Sequence, residues 1–567
     1  MGDASTPAAA PRPDPPPVQA GLPSVHPTPS FWQTSHPNSV SHHRSTPDLP
    51  VRADLVVIGT GISGTFVVDE LLGELQSDDS THVASSPVTI LVLEARTLCS
   101  AATGRNGGHL QPVVHAAPAS ILDFEMANFD HVSGLVRSGN IQCDFRRLSG
   151  CLAFWNRTYF EEAKRDLILA RARHADLVSV VEDTEQLRKL GLQGGVKGAI
   201  VQSVAASLSP YKLCVGVWQK LLSSFETTRN QSGGDGTSEG IGKDRAVTLN
   251  LQTTTPVTSL DMVDTLGGEG YRWKLNTPRG FVHVKSIILA TNAYTSHLLP
   301  EFAPLIRPVQ AQMSALIPPP SRKRNQERRP VLIPMSYGFE GVGTMDRVMS
   351  DYLVQNPFMA TAASEQQHQT NTASASQDIG DGQGHGGHLM FGGGRHLAFN
   401  HGEGCWDDDF VDKNVENYLR GLPERLSLAF DDTDDIDTRS EHDRDNNNPN
   451  PNPTSHPPAP SLDIAASWTG IIGHSADGRP WVGPVPDRPG IYLCGGYTGH
   501  GMTSAPLCGR YIARVALQDL RSQRGSEPPG LAPGDGRRRN IESGLELDVD
   551  VPREYLISRE RMERLSR

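Results

Sequence analysis

The sequence predicts an α/β protein, α+β overall, with a Rossmann-like unit opening its ordered part. Three observations predict it. Residues 54–66, DLVVIGTGISGTF, read as a buried strand, a G-x-G-x-x-G turn at Gly59, Gly61 and Gly64, and the start of a helix. Residues 87–95, PVTILVLEA, form a second apolar run of strand length that ends in Glu94. Residues 490–520 repeat the strand, glycine-rich turn and helix order near the other end of the chain.

The elements follow in order. Residues 1–50 are rich in Pro, Ser and His and hold few apolar side chains, so disorder is expected, except where SFW at 30–32 can tuck into the body. In residues 54–75, Ile62, Phe66, Val67, Leu71, Leu72 and Leu75 recur at helical spacing. The polar stretch 76–87 lengthens the connection to the second strand. Residues 120–225 alternate helical and strand-like runs. Residues 271–294 predict a hairpin turning at Pro278–Gly280, followed by a buried strand. In the last block, Met502, Ala505, Gly509, Ile512, Ala513, Ala516 and Leu520 share one helix face, and Pro506 is tolerated in the first turn. Three low-complexity stretches, 229–244, 364–388 and 431–461, are expected to be inserted loops, which a fold carries at little closure cost.

At 567 residues the chain exceeds one core, so two or more packed units are expected. A net charge of −12 argues against nucleic acid as a main partner. No apolar run approaches the roughly 20 residues of a membrane helix, and the N-terminus lacks the parts of a signal peptide. Gly2 and Thr6 echo a myristoylation signal, but Asp3 and Pro7 make the match poor. Cys99, Cys143, Cys151, Cys214, Cys405, Cys494 and Cys508 show no C-x-x-C pairing, which suits reduced thiols. A cytoplasmic protein without membrane contact is expected, and no metal-binding spacing is present.

A second G-x-G-x-x-G match, GQGHGG at 382–387, follows a polar run that cannot be a buried strand, and is rejected. The first match has context. Its glycines let backbone approach a pyrophosphate, the helix start supplies N–H groups, and Glu94 stands where a carboxylate can hold a ribose hydroxyl. A glycine-rich turn with no ligand is the bland alternative, and strand, helix and carboxylate together weigh against it. The basic, glycine-rich loop ARTLCSAATGRNGGHLQP at 95–112 favours FAD over NAD, because a longer cofactor needs more backbone contacts.

The turn at 59–64, Glu94, ATGRNGGH, TTPVTSL, IILATNAY and GGYTGHGM stand in an order that resembles the D-amino-acid oxidase family of FAD-dependent oxidoreductases. GRNGG and WTGIIGHSADGRPWVG are most similar to the gamma-glutamylputrescine oxidase branch and its fungal relatives. The resemblance spans about residues 50–520. It implies a Rossmann-like FAD-binding domain (51–125, 200–310 and 464–525) interleaved with a β-sheet-based substrate domain (126–199 and 311–430). Residues 526–567 would be a tail with a short helix.

The resemblance also implies contacts. Gly59, Gly61, Ile62, Ser63 and Gly64 would face the pyrophosphate, and Glu94, with Ala95 and Arg96 beside it, the adenosine ribose. Thr103, Gly104, Arg105, Asn106, Gly107 and Gly108 match the loop passing pyrophosphate and flavin. Val257 matches the adenine contact, and Ala290, Thr291 and Asn292 close the site. Gly495, Gly496, Gly499, His500, Gly501 and Met502 match the turn under the isoalloxazine. Non-covalent FAD is expected, although Cys99 and His109 flank the loop as candidate attachment points.

Such a protein would oxidise a C–N bond of a small amine to an imine, with oxygen as acceptor and hydrogen peroxide as product. A free or N-methylated amino acid as substrate, a flavoprotein that keeps FAD in an interaction role, and a flavin hydroxylase are the alternatives. His500 reads as a helix cap or a donor at the flavin edge. Arg395 could meet an anionic group or form a structural ion pair. Tyr337 and Phe339 could line the pocket or belong to the core. In the glycine-oxidase branch an Arg precedes the x-x-D-G-x-P turn; here Trp468, Thr469 and Gly470 hold that neighbourhood. Trp468 would be an apolar wall, or core, in which case Arg105 or Arg395 could still grip a carboxylate.

Overall fold

A computed structural model describes residues 18–77, 87–114, 118–231, 247–263, 270–320, 331–343, 350–356, 387–429, 461–523 and 550–566. Two sheets organise it, of eight and nine strands among the described residues. Arg52–Ile58 lies inside the first sheet, parallel to Val88–Leu93 on one side and to Gly280–Leu289 on the other. Val247–Gln252 and Ile491–Gly495 extend these edges in parallel, and Trp481–Pro484 adds an antiparallel edge. The hairpin is present, Trp273–Thr277 pairing with Gly280–Leu289 around Pro278 and Arg279.

Six consecutive residues of the first strand are buried because both sheet faces are covered, which is why it reads as an unbroken apolar run. Leu55 and Val57 join a core with Phe66, Leu71, Ile512 and Ala516, from the helices Ile62–Ser77 and Ala505–Gln523. Val56 and Ile58 join a second core with Trp273, Val284 and Trp481. The two helices meet at Gly509, where a Cβ would stand 2.7 Å from the Ser63 carbonyl oxygen.

The second sheet runs from Ile464–Ser475 through Ile306–Leu316, Leu389–Gly392, Asp351–Gln355, Ser336–Glu340, Arg146–Phe154 and Gly198–Ser207 to His109–Leu110. This corrects the expected domain map. Gly198–Ser207, the start of Ile306–Leu316 and all of Ile464–Ser475 belong here and not to the nucleotide-binding domain. Ile464–Ser475 pairs antiparallel with Ile306–Leu316 along its length, and the chain changes sheet only at the turn after Ser475. Motif order does not record such pairing. The helix Ala119–Ser138 likewise packs Phe124, Phe129 and Val132 into the core that holds Phe66.

A second correction concerns the N-terminal segment. Residues 18–50 are ordered, with Ala20, Trp32 and Val40 buried. The segment builds no core of its own. It borrows the body's, and its backbone pairs with the sheet edge: Ser45 N–H donates to the Leu251 carbonyl at 2.9 Å, and Thr253 N–H to that of His43 at 3.2 Å. At the other end, the helix Arg559–Leu565 packs back through Arg561, whose guanidinium lies 3.8 Å from the Trp481 ring centroid and ion-pairs with Asp477 at 2.9 Å. Residues 1–17, 232–244, 364–386, 431–460 and 526–549, on which the remaining disorder, loop and tail expectations fall, lie outside the described residues, as does the rejected glycine match up to residue 386. Among the described residues no helix is long and apolar enough to cross a membrane.

Candidate cofactor and substrate site

The turn after the first strand is held by backbone. Gly59 has φ +106°, and a Cβ there would sit 2.7 Å from the Ala290 carbonyl oxygen, so no side chain is accommodated. A Cβ on Gly64 would meet the Gly59 oxygen at 1.9 Å; this glycine serves close helix–strand packing and does not line the cavity. Gly61 does, with Ile62 and Ser63 at the helix start, and Thr103 Oγ1 accepts the Ile62 N–H at 3.1 Å. Glu94 lies where its strand ends. Its Oε2 accepts from the Thr60 N–H (2.9 Å) and hydroxyl (2.6 Å), and its Oε1 from the Arg96 N–H (3.0 Å). The carboxylate is thereby fixed while still lining the cavity.

The loop that follows divides in function. Ala95, Thr103, Arg105 and Asn106 line the cavity, whereas Arg96, Gly104, Gly107 and Gly108 do not. Gly107 donates to the Tyr352 hydroxyl at 2.7 Å, and Gly108 has φ +80° with the Leu208 oxygen 2.0 Å from its would-be Cβ. Arg96 turns away to Asp408. Arg105 is buried, and its guanidinium is taken by Asp408 (3.1 Å), Ser100 O (2.8 Å), Thr28 Oγ1 (3.2 Å) and Thr469 O (2.8 Å). Burial draws its pKa down to about 10, with Asp408 opposing. Arg105 is a clamp between segments and not a grip for a substrate carboxylate.

Trp468 is fully buried behind that loop. Its Nε1–H donates to the Arg105 carbonyl at 2.6 Å, and its ring stacks on Phe31 at 6.4 Å. It does not wall the cavity; Gly470, Ile471 and Ile472 of the same strand do. Tyr337 is corrected in the same way. Fully buried, it donates its hydroxyl to the Leu190 carbonyl at 3.0 Å and stacks on Phe339 at 6.1 Å, while Gly338 between them reaches the cavity.

Val257, Ala290, Thr291 and Asn292 line the cavity, as do Gly499, His500, Gly501 and Met502. Gly496 does not; its N–H donates to Asn292 Oδ1 at 2.9 Å, tying the two segments together. Gly495 packs on Asn292. His500 Nδ1 stands 3.3 Å from the Thr498 carbonyl, and the backbone N–H of His500 donates to Tyr497 O at 2.8 Å.

The far part of the cavity is bounded by the second sheet. Arg395 reaches it, with Nε donating to His401 O at 3.1 Å and Nη2 4.0 Å from Glu403. Glu125, Glu340 and Asp351 also line it. Glu125 accepts from the Val113 N–H (2.7 Å) and the Thr503 hydroxyl (3.1 Å), and burial raises its pKa. Burial lifts Asp351 to about 6 against the pull of the Tyr418 hydroxyl and the Gly394 N–H. His109 stacks on Tyr352 at 6.0 Å with Nε2 2.9 Å from Ser336 Oγ, and burial lowers its pKa to about 4. Cys99 is buried outside the cavity lining, its thiol pKa raised by burial and by Cys214.

One cavity of about 660 Å³ therefore runs past the Gly59–Gly64 turn, Glu94, the Thr103–Asn106 loop and the Gly499–Thr503 turn to the second sheet. Its size falls in the range of cofactor sites. The turn has no room for a side chain, the helix start opens on the cavity and a fixed carboxylate faces it. These features fit FAD. Sequence reasoning missed Leu22, Pro23, Glu125, Asp351, Tyr352 and Tyr555, all of which line the cavity. Of these only the aromatic cluster beside Leu22 and Pro23, at 31–32, gave a signal.

Residues 54–515 match the family described as FAD dependent oxidoreductase. No curated protein matches the chain. Among solved structures, glycine oxidase from Geobacillus kaustophilus is similar with a TM-score of 0.53 at 15% identity, over 87% of this chain and 100% of that one. L-proline dehydrogenase from P.horikoshii gives 0.53 at 14%, over 84% and 99%. L-amino acid deaminase from Proteus vulgaris gives 0.52 at 14%, over 88% and 97%. At these identities the likeness is one of fold.

Proposed function

The chain belongs to the FAD dependent oxidoreductase family, and from that premise we propose that it oxidises the C–N bond of a small amine to an imine, with oxygen as acceptor and hydrogen peroxide as product. When bound, non-covalently in this reading, FAD supplies the acceptor for the hydride equivalent leaving the carbon. The observation that carries the amine reading is the charge of the substrate chamber. Three carboxyl groups, Glu125, Glu340 and Asp351, line it and outnumber the guanidinium groups of Arg395 and Arg479, while that of Arg105 is committed to protein partners. An acidic, partly dehydrated chamber attracts a cationic amine and, on dehydration, favours the neutral form that reacts.

Each residue has a role in this reading. The helix starting at Ile62 and the backbone at Gly61 would receive the pyrophosphate, and Glu94 a ribose hydroxyl. The Gly499–Met502 turn would supply polar groups to the flavin, with His500 as a hydrogen-bond donor and not a base. No protein base is required once the amine is neutral. A cytoplasmic location belongs to the same reading, supported by seven cysteines without C-x-x-C pairing.

Arg395 favours a second reading, because a guanidinium lining the chamber can hold a carboxylate. The solved structures named above are an oxidase, a dehydrogenase and a deaminase of amino acids, which supports the same alternative. Peroxide release from a series of amines, each set against its α-carboxylated counterpart, tests the choice. Faster turnover of the amine, retained in Arg395→Met, is expected. A preference for the amino acid, abolished by Arg395→Met, would replace the amine by an amino-acid substrate.

A further inference from the structure

We propose that residues 20–24 of the N-terminal arm are part of the cofactor site: a clasp that closes the nucleoside end of the cavity. The arm runs along the cavity between two anchors. Ala20 donates its N–H to Ser296 Oγ at 2.9 Å, and Ser24 accepts at its carbonyl from Arg96 Nη1 at 3.1 Å. Leu22 and Pro23, between the anchors, line the cavity. One anchor is the short helix whose next residues, His297 and Leu298, also line it; the other is the arginine two residues beyond Glu94. The bridge therefore spans the end of the cavity marked by the carboxylate that meets the ribose in the reading above, on which this inference rests.

The arm is fitted to this place along its length. At Gly21 a Cβ would stand 2.6 Å from Trp406 Nε1, so the backbone lies flat against that ring. Thr28 donates its hydroxyl to Asp408 O at 2.9 Å, and its N–H goes to the same oxygen at 2.7 Å. The Ser30 hydroxyl donates to Gly104 O and the Trp32 Nε1–H to Asn106 O, each at 2.5 Å. Two neighbouring side chains thus hold the carbonyls of the loop that lines the cavity's middle. Pro23 brings no N–H that would need water, and Leu22 presents an apolar face. A nucleoside diphosphate seated beneath them could leave only after the Ala20–Ser24 bridge lifts.

The experiment uses the full-length protein carrying its own flavin, with a nucleotide pyrophosphatase added and AMP release followed. This reports exposure of the nucleoside diphosphate end whether or not the flavin ring is attached to protein. Leu22→Asp places a charge over the cavity and is expected to raise the rate about tenfold or more, the effect of losing one apolar closure. Val25→Asp, on the same arm but with Val25 81% exposed, is expected to leave it unchanged. Should Leu22→Asp fold poorly, the Leu22→Ala, Pro23→Ala double variant is expected to give a smaller rise in the same direction. Equal rates in all proteins would overturn the clasp. So would an equal rise in both variants, which marks general loosening. A wild-type protein purified without FAD would instead defeat the flavin reading, and its failure is thus told apart from that of the clasp.

Discussion

Arg96 and Asp408 form a two-pronged ion pair, Nη1 to Oδ1 and Nη2 to Oδ2, both at 2.9 Å, with the Asp408 side chain fully buried. Burial by itself would depress the Arg96 pKa; the hydrogen bonds and charge of Asp408, with smaller pulls from Tyr294 and Glu94, together outweigh it and raise it. The same carboxylate lies 3.1 Å from Arg105 Nε. One anion therefore serves two buried cations, and it joins the loop after Glu94 to a segment of the second domain. The cavity floor depends on that joint.

Asp408→Ala should leave both guanidinium groups without their counter-charge. Breaking a buried pair by removing one partner costs about 3–5 kcal/mol, a large part of the roughly 5–15 kcal/mol that holds a typical domain. Asp408→Asn keeps the shape and is expected to lose less. Urea unfolding of the three proteins checks this. An unchanged midpoint for the alanine variant would show that the network contributes nothing net.

Gly61→Val should weaken flavin retention while sparing the fold. Its Cβ would already lie 3.2 Å from Thr103 Oγ1, and the methyl groups would enter the cavity that Gly61 lines. A steric penalty of about 1–3 kcal/mol corresponds to roughly 5- to 150-fold weaker binding. Gly384→Val alters the glycine match that follows a polar run in the sequence and is expected to keep full flavin. Flavin released on denaturation, per mole of protein, measures both. Full flavin in Gly61→Val would remove the turn from the site.

What the sequence made legible was whatever is local. The strand, turn and helix at 54–75 are set by adjacent residues, and so is the hairpin at Pro278–Gly280. Glu94 was legible because a strand end fixes its place. Trp468 and Tyr337 were not, since which face of a strand meets a cavity depends on partners distant in sequence. Asp408 stands in a polar loop whose importance comes only from two arginines about 300 positions away. The arm at 18–50 failed a composition test because it uses the body's core, leaving Trp32 as its one local hint.

His109 yields a pH prediction whose sign can be worked out. In the fold its pKa falls to about 4, burial being the main cause, the Gln111 hydrogen bond opposing and His500 adding to the fall. The unfolded chain titrates near the ordinary value of 6.5. Between these values the unfolded chain binds a proton that the folded one does not, so stability drops as pH falls from about 6.5 to about 4. The gap corresponds to at most about 3 kcal/mol, and to less where water enters the cavity. His109→Gln keeps a polar group near Ser336 Oγ but cannot take the proton. Its stability should therefore converge on, or pass, that of the wild type as pH falls from 7 to 4, when unfolding is measured in parallel. Groups present in both proteins cancel in the difference. A difference that stays flat across this range would mean that His109 titrates as it does in water, and that the cavity wall beside Tyr352 is wet.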